Sequence, residues 1–350
     1  METLRLTIGQ EDFEAADPAI SECAAIIRRG GLVAMPTETV YGLAANALDP
    51  TAVERIFEAK DRPSWDPLIV HVSSLEMISR VASDFPQQAQ ILGERFWPGP
   101  LTLLLPRSRQ LPPTVTANRD TVAVRMPEHP VARALIAAAN LPLAAPSANR
   151  FGRISPTTAD HVLRDLDGRI EAVLDAGPTN IGLESTIIDA LCTPALILRP
   201  GGITREQVEA VIGSVEIYSP SPDQPPGALA SPGLATRHYA PTAKLLLVEG
   251  TREALLQAVQ KHVASEGDRG SYVGVMAPDQ WLGEKALSGG GMVLFDWGVW
   301  KDWPQLARNL FVGLRSLDKP GVSVILCPLP PEEGIGLALR DRLMRAAAES

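Results

Sequence analysis

The sequence contains no apolar run of the roughly 20 residues that a helix needs to cross a bilayer. Its first stretch, residues 1–17, is acidic and has neither the basic start nor the apolar segment of a signal peptide. Only three cysteines are present, and without a CxxC pair they support neither a zinc knuckle nor a dithiol redox site. Cys23, Cys192 and Cys327 each lie in an apolar context, so we expect buried structural thiols. These absences predict a cytoplasmic protein with no disulfide and no contact with a membrane.

The sequence also lacks an excess of positive charge, since its formal net charge is −9. Dedicated nucleic-acid binders neutralise phosphates with a basic face, so we expect no stable binding of tRNA. Apolar residues make up 45% and charged residues 21% of the chain, which is ordinary for a globular enzyme. At 350 residues the chain exceeds what one hydrophobic core usually supports, and two domains are expected.

Helix and strand signals alternate along the chain, with one interruption. Residues 1–213 are expected to form a catalytic domain, an open mixed sheet with helices. Residues 214–241 are rich in proline and show almost no apolar periodicity, which predicts a linker. In residues 242–350 apolar strands again alternate with helices, which predicts a smaller Rossmann-like domain with a parallel sheet.

Familiar catalytic motifs are missing: there is no GxxxxGK[ST] loop, no strand followed by GxGxxG, no HExxH and no GxSxG. Instead, small polar and cationic residues follow several predicted strands. The turn Pro36-Thr37-Glu38-Thr39 comes directly after one of them. Ligands of open α/β sheets bind at the carboxyl ends of strands, so this turn could bind a polar ligand or could only cap itself with hydroxyls.

Four cationic or titratable residues are likewise open to two interpretations. Lys60 and Arg62 end a predicted helix, where they could clamp phosphates or merely complement the helix dipole. His71 ends the next strand and is either a packed side chain or a ligand contact. Arg125 closes an apolar strand, and because an unpaired buried charge is costly, it needs a carboxylate or phosphate partner, whether from a ligand or from the protein.

The remaining candidates are loop residues with hydroxyls, amides or exposed backbone. Ala145-Pro146-Ser147-Ala148-Asn149 suits an anion-binding loop, Ser155 follows it, and Ser185-Thr186 and Arg199 flank two further strands. None of these segments supplies a covalent nucleophile with a base beside it. The set is typical of a site that positions polyanions and stabilises charge.

These segments resemble the threonylcarbamoyl-AMP synthase family, which has the YrdC-like fold, in its long form with an additional C-terminal domain. The matching stretches, in the order of the family, are PTETVYGLAANA, IFEAKDRPSWDPLIVHV, FWPGPLTLLL, DTVAVRMPEHP, LAAPSANRFGRISPTTADHV, GLESTIID, LRPGGIT, SPGLATRHYAP and GIGLALRDRLMRAA. Together they span the chain from about Ile20 to Ala348.

The resemblance implies a role for each matching residue. The residues expected to hold L-threonine are Thr37, His71, Arg125, Ala145 and Thr186, with Arg125 pairing the carboxylate. Those expected to hold ATP are Lys60, Arg62, Thr121, Ser147, Asn149, Ser155, Arg199 and Tyr239. Lys60 and Arg62 are also the expected catalytic residues, and Tyr239 is expected to reach over the nucleotide from a linker that acts as a lid.

The implied reaction condenses L-threonine, bicarbonate and ATP to threonylcarbamoyl-AMP and pyrophosphate, for a downstream tRNA threonylcarbamoyl transferase. Mg²⁺ is expected on the ATP phosphates and not on a protein site. Asp66 departs from the asparagine common in the family, and we expect it either to weaken phosphate binding or to face solvent, favouring the second. An RNA-binding or ribosome-assembly role is the alternative function. Carbamoyl transfer to a maturation partner would need acylphosphatase and zinc-finger segments, which this sequence does not contain.

Overall fold

The computed structural model describes residues 2–9, 17–219, 233, 237–267, 270–281 and 291–348. The chain divides into two compact units. The first unit comprises residues 1–151, 155–180 and 184–235. The second comprises residues 152–154, 181–183 and 236–350. The domain limits at residues 213 and 241 stay predictions, and most of the predicted linker (220–232 and 234–236) lies outside the described residues.

The described residues of the first unit form one sheet of eleven strands. The sheet is mixed, as the sequence predicts. The strands are β1 (Leu4–Thr7), β2 (Val33–Met35), β3 (Gly42–Asn46), β4 (Ile69–His71), β5 (Leu101–Pro106), β6 (Thr121–Arg125), β7 (Leu143–Ala144), β8 (Ala172–Asp175), β9 (Thr186–Asp189), β10 (Ala195–Arg199) and β11 (Val215–Ile217). Their order in the sheet is β1-β8-β2-β3-β7-β4-β6-β5-β9-β10-β11. Strand β11 falls inside the predicted linker and pairs with β10 in parallel.

Helices flank this sheet, and two of them begin at Asp-Pro pairs in the sequence. They are α1 (Pro18–Arg28), α2 (Pro50–Lys60), α3 (Leu75–Ile78), α4 (Gln87–Phe96), α5 (Pro130–Ala139), α6 (Ala159–Leu166) and α7 (Arg205–Ile212). The Asp17 side chain accepts a hydrogen bond from the backbone of Ala19, and Asp49 caps α2 in the same way. A proline follows each cap, where its fixed φ suits the first helical turn.

The core of the first unit places several candidate residues at strand ends. Helices α1, α2 and α5 bury their apolar faces in one cluster with β2, β3, β4 and β6. Strands β4 and β6 run in parallel, with His71 opposite Arg125 at their carboxyl ends. Because both strands end at one edge of the sheet, the polar side chains that follow them come together there.

The second unit contains a four-stranded sheet in which every pairing is parallel, as the sequence predicts. Its strands are β12 (Lys244–Val248), β13 (Tyr272–Ala277), β14 (Met292–Asp296) and β15 (Val322–Pro328), in the order β12-β15-β13-β14. The helices described in this unit are α8 (Arg252–Gly267), α9 (Trp303–Leu317) and α10 (Gly334–Ala347). Parallel strands separated by helices are the expected doubly wound arrangement.

Four tryptophans gather after β13 and β14 in the second unit. The ring centroid of Trp300 lies 4.6 Å from that of Trp281, 5.4 Å from that of Trp303 and 6.2 Å from that of Trp297. Trp297 is fully buried, and its indole N–H donates to the carbonyl of Leu306. These large aromatic side chains pack together and contribute to the core of this unit.

The expectation for the thiols is confirmed for two cysteines and wrong for the third. Cys23 and Cys327 are buried, whereas Cys192 is exposed because it lies in the turn between β9 and β10. None of the helices described here is both long and apolar enough to cross a membrane.

Candidate active site

Arg125 is the centre of a buried polar cluster at the end of β6. Its Nη2 lies 2.6 Å from Oε1 of Glu38, and its Nη1 donates to the hydroxyl of Thr39 at 2.8 Å. The Nε donates to the carbonyl of Gly99 at 3.3 Å. Burial alone would raise the pKa of Glu38, but the charge and hydrogen bond of Arg125 outweigh it and lower that pKa. The protein therefore supplies a carboxylate partner for Arg125.

His71 lies beside Arg125 and is held in its neutral form. Burial, with a further contribution from the Arg125 charge, lowers the pKa of His71 to about 3. Its Nδ1 has no hydrogen-bond partner among the described residues. A neutral buried imidazole can exchange hydrogen bonds with a polar ligand without adding charge.

The hydroxyls of Thr37 and Thr186 are already engaged by backbone groups. Thr37 donates to the carbonyl of Val40 at 2.6 Å. This bond closes the turn whose Glu38 and Thr39 contact Arg125. Thr186 donates to the carbonyl of Ile203 at 2.6 Å. Ala145 is buried, and a Cβ on Gly42 would lie 3.3 Å from its side chain. Small residues thus let two backbone segments approach closely at this edge.

Lys60 is buried under the loop that follows β7. Only 1% of it is exposed, and its ammonium donates to the carbonyl of Ser147 at 2.5 Å and to that of Asn149. Burial and then the neighbouring Arg62 lower its pKa well below the usual range. The structure therefore brings together three of the predicted ATP contacts, Lys60, Ser147 and Asn149.

Arg62 is paired with Asp66 inside the protein, so the favoured expectation for Asp66 was wrong. Asp66 is 0% exposed, and its Oδ2 lies 2.9 Å from Nη2 of Arg62. Arg62 also donates to the carbonyls of Asp66 and Pro67, at 3.1 and 2.8 Å. A loop of charged residues and prolines is usually exposed, which is why the sequence favours an exposed Asp66. In the structure Arg62 folds back over the loop and encloses the carboxylate.

Arg199 and Ser155 are also buried, and Thr121 lies at the opposite end of β6 from Arg125. Arg199 donates through Nη2 to the carbonyl of Ser185 at 3.0 Å, and its charge also acts on the Asp66 carboxylate. Ser155 donates to Oε1 of Glu184 at 2.5 Å. Thr121 begins β6, four residues and about 13 Å along the strand from Arg125.

Tyr239 belongs to the second unit, where its ring is 0% exposed. The ring stacks on Phe311 with centroids 5.6 Å apart and lies beneath the Arg342 guanidinium at 5.4 Å. The predicted contact of Tyr239 with the nucleotide, and the lid formed by the linker, stay predictions.

The sequence analysis did not identify two buried carboxylates of the site, Glu38 and Glu184. Glu38 was visible only as part of a polar turn, and Glu184 only as the residue before two hydroxyls. Both carboxylates accept hydrogen bonds from buried donors, Glu38 from Arg125 and Glu184 from Ser155. The first unit thus combines four buried cations, hydroxyls and a neutral histidine, a set suited to binding anions and stabilising negative charge.

No group of three or more metal-ligating side chains occurs in the described ranges. Lys60, Arg62 and Arg199 are cationic. The carboxylate among them, Asp66, already interacts with all three charges. Such a set does not fit a resident divalent cation, which takes oxygen ligands and excess negative charge.

Two family models match the chain, one for each part. The Sua5/YciO/YrdC model, described as telomere recombination, matches residues 25–201, and the model for the C-terminal domain of threonylcarbamoyl-AMP synthase matches residues 203–348. A threonylcarbamoyl-AMP synthase from Pyrococcus abyssi is 45% identical over 324 residues, 93% of this chain and 92% of that protein. One from Bacillus subtilis is 44% identical over 338 residues, 96% and 95% of the two chains.

A solved structure agrees with both units. The crystal structure of P. abyssi Sua5 complexed with L-threonine matches with a TM-score of 0.88 and 43% identity, over 99% of this chain and 98% of that one. Similarity at this level extends through the sheet of the first unit and the parallel sheet of the second. The chain therefore belongs to the Sua5/YciO/YrdC family, in the long form that carries the threonylcarbamoyl-AMP synthase C-terminal domain.

Proposed function

We propose that this protein is a threonylcarbamoyl-AMP synthase, which condenses L-threonine, bicarbonate or CO₂, and ATP. The observation that carries the proposal is the near full-length similarity to proteins of that name, together with buried cations arranged in two clusters. One cluster surrounds Arg125 and the other surrounds Lys60, Arg62 and Arg199. The relatives support this enzyme and not the RNA-binding alternative.

The chemistry requires alignment and charge stabilisation more than a protein nucleophile. The amine of threonine adds to CO₂ to form a carbamate and loses a proton. A carbamate oxygen then attacks the α-phosphorus of ATP, and the bond to the β-phosphate oxygen breaks to release pyrophosphate. The protein must hold both reactants in line, exclude water from the unstable carbamate and offset the negative charge that accumulates.

The Arg125 cluster suits the amino acid. Of the five N–H donors of its guanidinium, one each is engaged by Glu38, Thr39 and Gly99. The two remaining N–H groups match the two oxygens of the threonine carboxylate in number. The neutral His71 beside them adds no charge. We propose that Thr37, Ala145 and Thr186 line the same half of the site through backbone groups and packing.

The second cluster suits the nucleotide. Lys60 and Arg62, together with Arg199, would bind the phosphates and stabilise charge on phosphorus and on the departing pyrophosphate. Ser147, Asn149, Ser155 and Thr121 are the proposed polar contacts of ATP, and Tyr239 is the proposed contact from the second unit.

Mg²⁺ is proposed to arrive with ATP and to be held by its phosphates. The cationic donor set gives it no place of its own, so it would add Lewis acidity at the phosphates without a protein cage. The product is proposed to pass to a downstream tRNA threonylcarbamoyl transferase.

The deciding experiment is mass spectrometry of the purified protein after incubation with ATP, Mg²⁺, bicarbonate and L-threonine. Threonylcarbamoyl-AMP and pyrophosphate should form together, and neither should form when threonine is omitted. Serine should react about tenfold more slowly, because one methyl group in an apolar contact is worth about 1–2 kcal/mol. ATP breakdown that ignores threonine would refute the proposal.

A further inference from the structure

Asp66 is a carboxylate enclosed by the cations of the nucleotide cluster. It is 0% exposed, and Arg62 approaches it to 2.9 Å while the charges of Lys60 and Arg199 act on it as well. Neither carboxylate oxygen accepts a hydrogen bond of good geometry from a described residue. Its partners are therefore charges, not oriented donors, and its main influence on the site is electrostatic.

Arg62 has other contacts besides this carboxylate. Its guanidinium donates to two backbone carbonyls of its own loop, those of Asp66 and Pro67. It also lies over the ring of Phe151, with 5.8 Å between the guanidinium carbon and the ring centroid. Neutralising the Asp66 side chain would leave these contacts in place and would change the net charge around Arg62 by one unit.

That unit of charge matters because the site is buried. Three cations with one carboxylate present a net charge of about +2 to an incoming phosphate, and without the carboxylate about +3. Solvent ions screen buried charges much less than exposed ones. A phosphate bound by Lys60, Arg62 and Arg199 would therefore meet direct repulsion from an ionised Asp66.

We propose that ionised Asp66 opposes ATP binding and that ATP binding is therefore coupled to proton uptake by Asp66. This inference rests on the proposed function, because it assumes that ATP occupies the cluster. An asparagine at this position would not show this coupling, since an amide has no charge to lose. The affinity for ATP becomes dependent on pH in a way that the amide would not confer.

The sign of the coupling follows from the surroundings of the carboxyl. Burial raises the pKa of Asp66, against the opposing charges of Arg62, Lys60 and Arg199. A bound phosphate would offset those three charges and raise the pKa further. ATP should therefore bind best below the pKa of Asp66 and progressively less well as the pH rises through it. The Asp66 charge also raises the pKa of Lys60, so Asp66→Asn is compared with the unaltered protein a second time with Lys60→Met in both.

The test compares Asp66→Asn with the unaltered protein and with Asp167→Asn, which removes an exposed carboxylate after α6. Lys60 is present in all three. ATP binding is measured by isothermal titration calorimetry over a series of pH values, in pairs of buffers that differ in ionisation enthalpy. The heat difference within a pair gives the number of protons taken up, after correction for ATP itself. Circular dichroism melts verify that each protein is folded.

Asp66→Asn is expected to bind ATP about tenfold more tightly than the unaltered protein at the higher pH values, within the usual range of coupling between sites. The two affinities should converge as the pH falls, and the variant should take up fewer protons on binding. Asp167→Asn should match the unaltered protein throughout.

Equal affinities and equal proton uptake in Asp66→Asn and the unaltered protein would overturn the inference. Weaker binding by Asp66→Asn at every pH would overturn it too, because Asp66 would then act by placing Arg62. If the variant does not fold, absence of proton uptake by the unaltered protein alone overturns it. Threonine-dependent product formation in the same preparation separates failure of this inference from failure of the proposed function, which would remove both.

Discussion

The ion pair between Glu38 and Arg125 allows a quantitative test of the buried cluster. Glu38→Gln keeps the shape of the side chain but removes the charge that faces Arg125 at 2.6 Å. Removing one member of a buried pair lowers the free energy of unfolding by about 3–5 kcal/mol. Because glutamine can still accept the Nη2 hydrogen bond, we expect the lower end of that range. Arg125→Met leaves Glu38 with no cation beside it, and we expect the upper end.

Combining the two changes should be less damaging than their sum. The double variant leaves no isolated charge, so its loss in unfolding free energy should fall short of the sum of the two single losses by about 2 kcal/mol. Urea unfolding of all four proteins at pH 7, followed by circular dichroism, measures this coupling. Strict additivity would show that the two charges do not stabilise each other and would refute the account of the cluster.

The same set of proteins has a defined response to acid. Because the folded-state pKa of Glu38 is lowered, its contribution is present above its unfolded pKa and is lost as the pH falls through the folded value. The stability difference between the unaltered protein and Glu38→Gln should therefore shrink below about pH 4. A difference that stays constant into strong acid would contradict the lowered pKa.

Three further predictions concern the candidate site and its frame. Lys60→Met should lower kcat by about 100-fold, as loss of a charge-stabilising donor does, while melts remain close to those of the unaltered protein; an unchanged kcat would remove Lys60 from catalysis. Gly201→Ala should lower the melting temperature markedly, since its Cβ would meet backbone atoms of residues 184–186 at 2.4 to 2.5 Å; Gly267→Ala, where a Cβ meets nothing within 4 Å, is the matched control and should melt normally. Tyr239→Phe keeps the buried ring, so it should fold normally, and a raised KM for ATP would support a nucleotide contact through the hydroxyl, whereas an unchanged KM would count against it.

Local signals in the sequence were sufficient for helices with strong caps and for apolar strands. Asp17-Pro18 and Asp49-Pro50 predict the starts of α1 and α2, because side-chain capping and the fixed φ of proline act within a few residues. Strand β6 has an apolar centre between Thr121 and Arg125, which predicts a buried strand that ends at Arg125. The parallel sheet of the second unit followed from the alternation of such strands with helices.

The sequence did not predict features that depend on residues far apart in the chain. Gly42–Asn46 was not predicted as a strand, yet it forms β3, which pairs with β2 and β7. The exposure of Asp66 was misjudged because nothing local shows that Arg62 folds back over it. Likewise, the sequence shows that Arg125 needs an anion, but not that Glu38 supplies one.

The clustering of tryptophans determines what optical measurements on this protein report. Four of its six tryptophans, Trp281, Trp297, Trp300 and Trp303, lie in the second unit, whereas the candidate active site is in the first. Intrinsic fluorescence will therefore chiefly follow the unfolding of the second unit, and a variant that disrupts the site can give a nearly normal fluorescence melt. Trp65 is the useful exception, because it is 43% exposed and immediately precedes Asp66. With phenylalanine in place of the four clustered residues and of Trp97, its emission would report changes beside Asp66, where the nucleotide is proposed to bind.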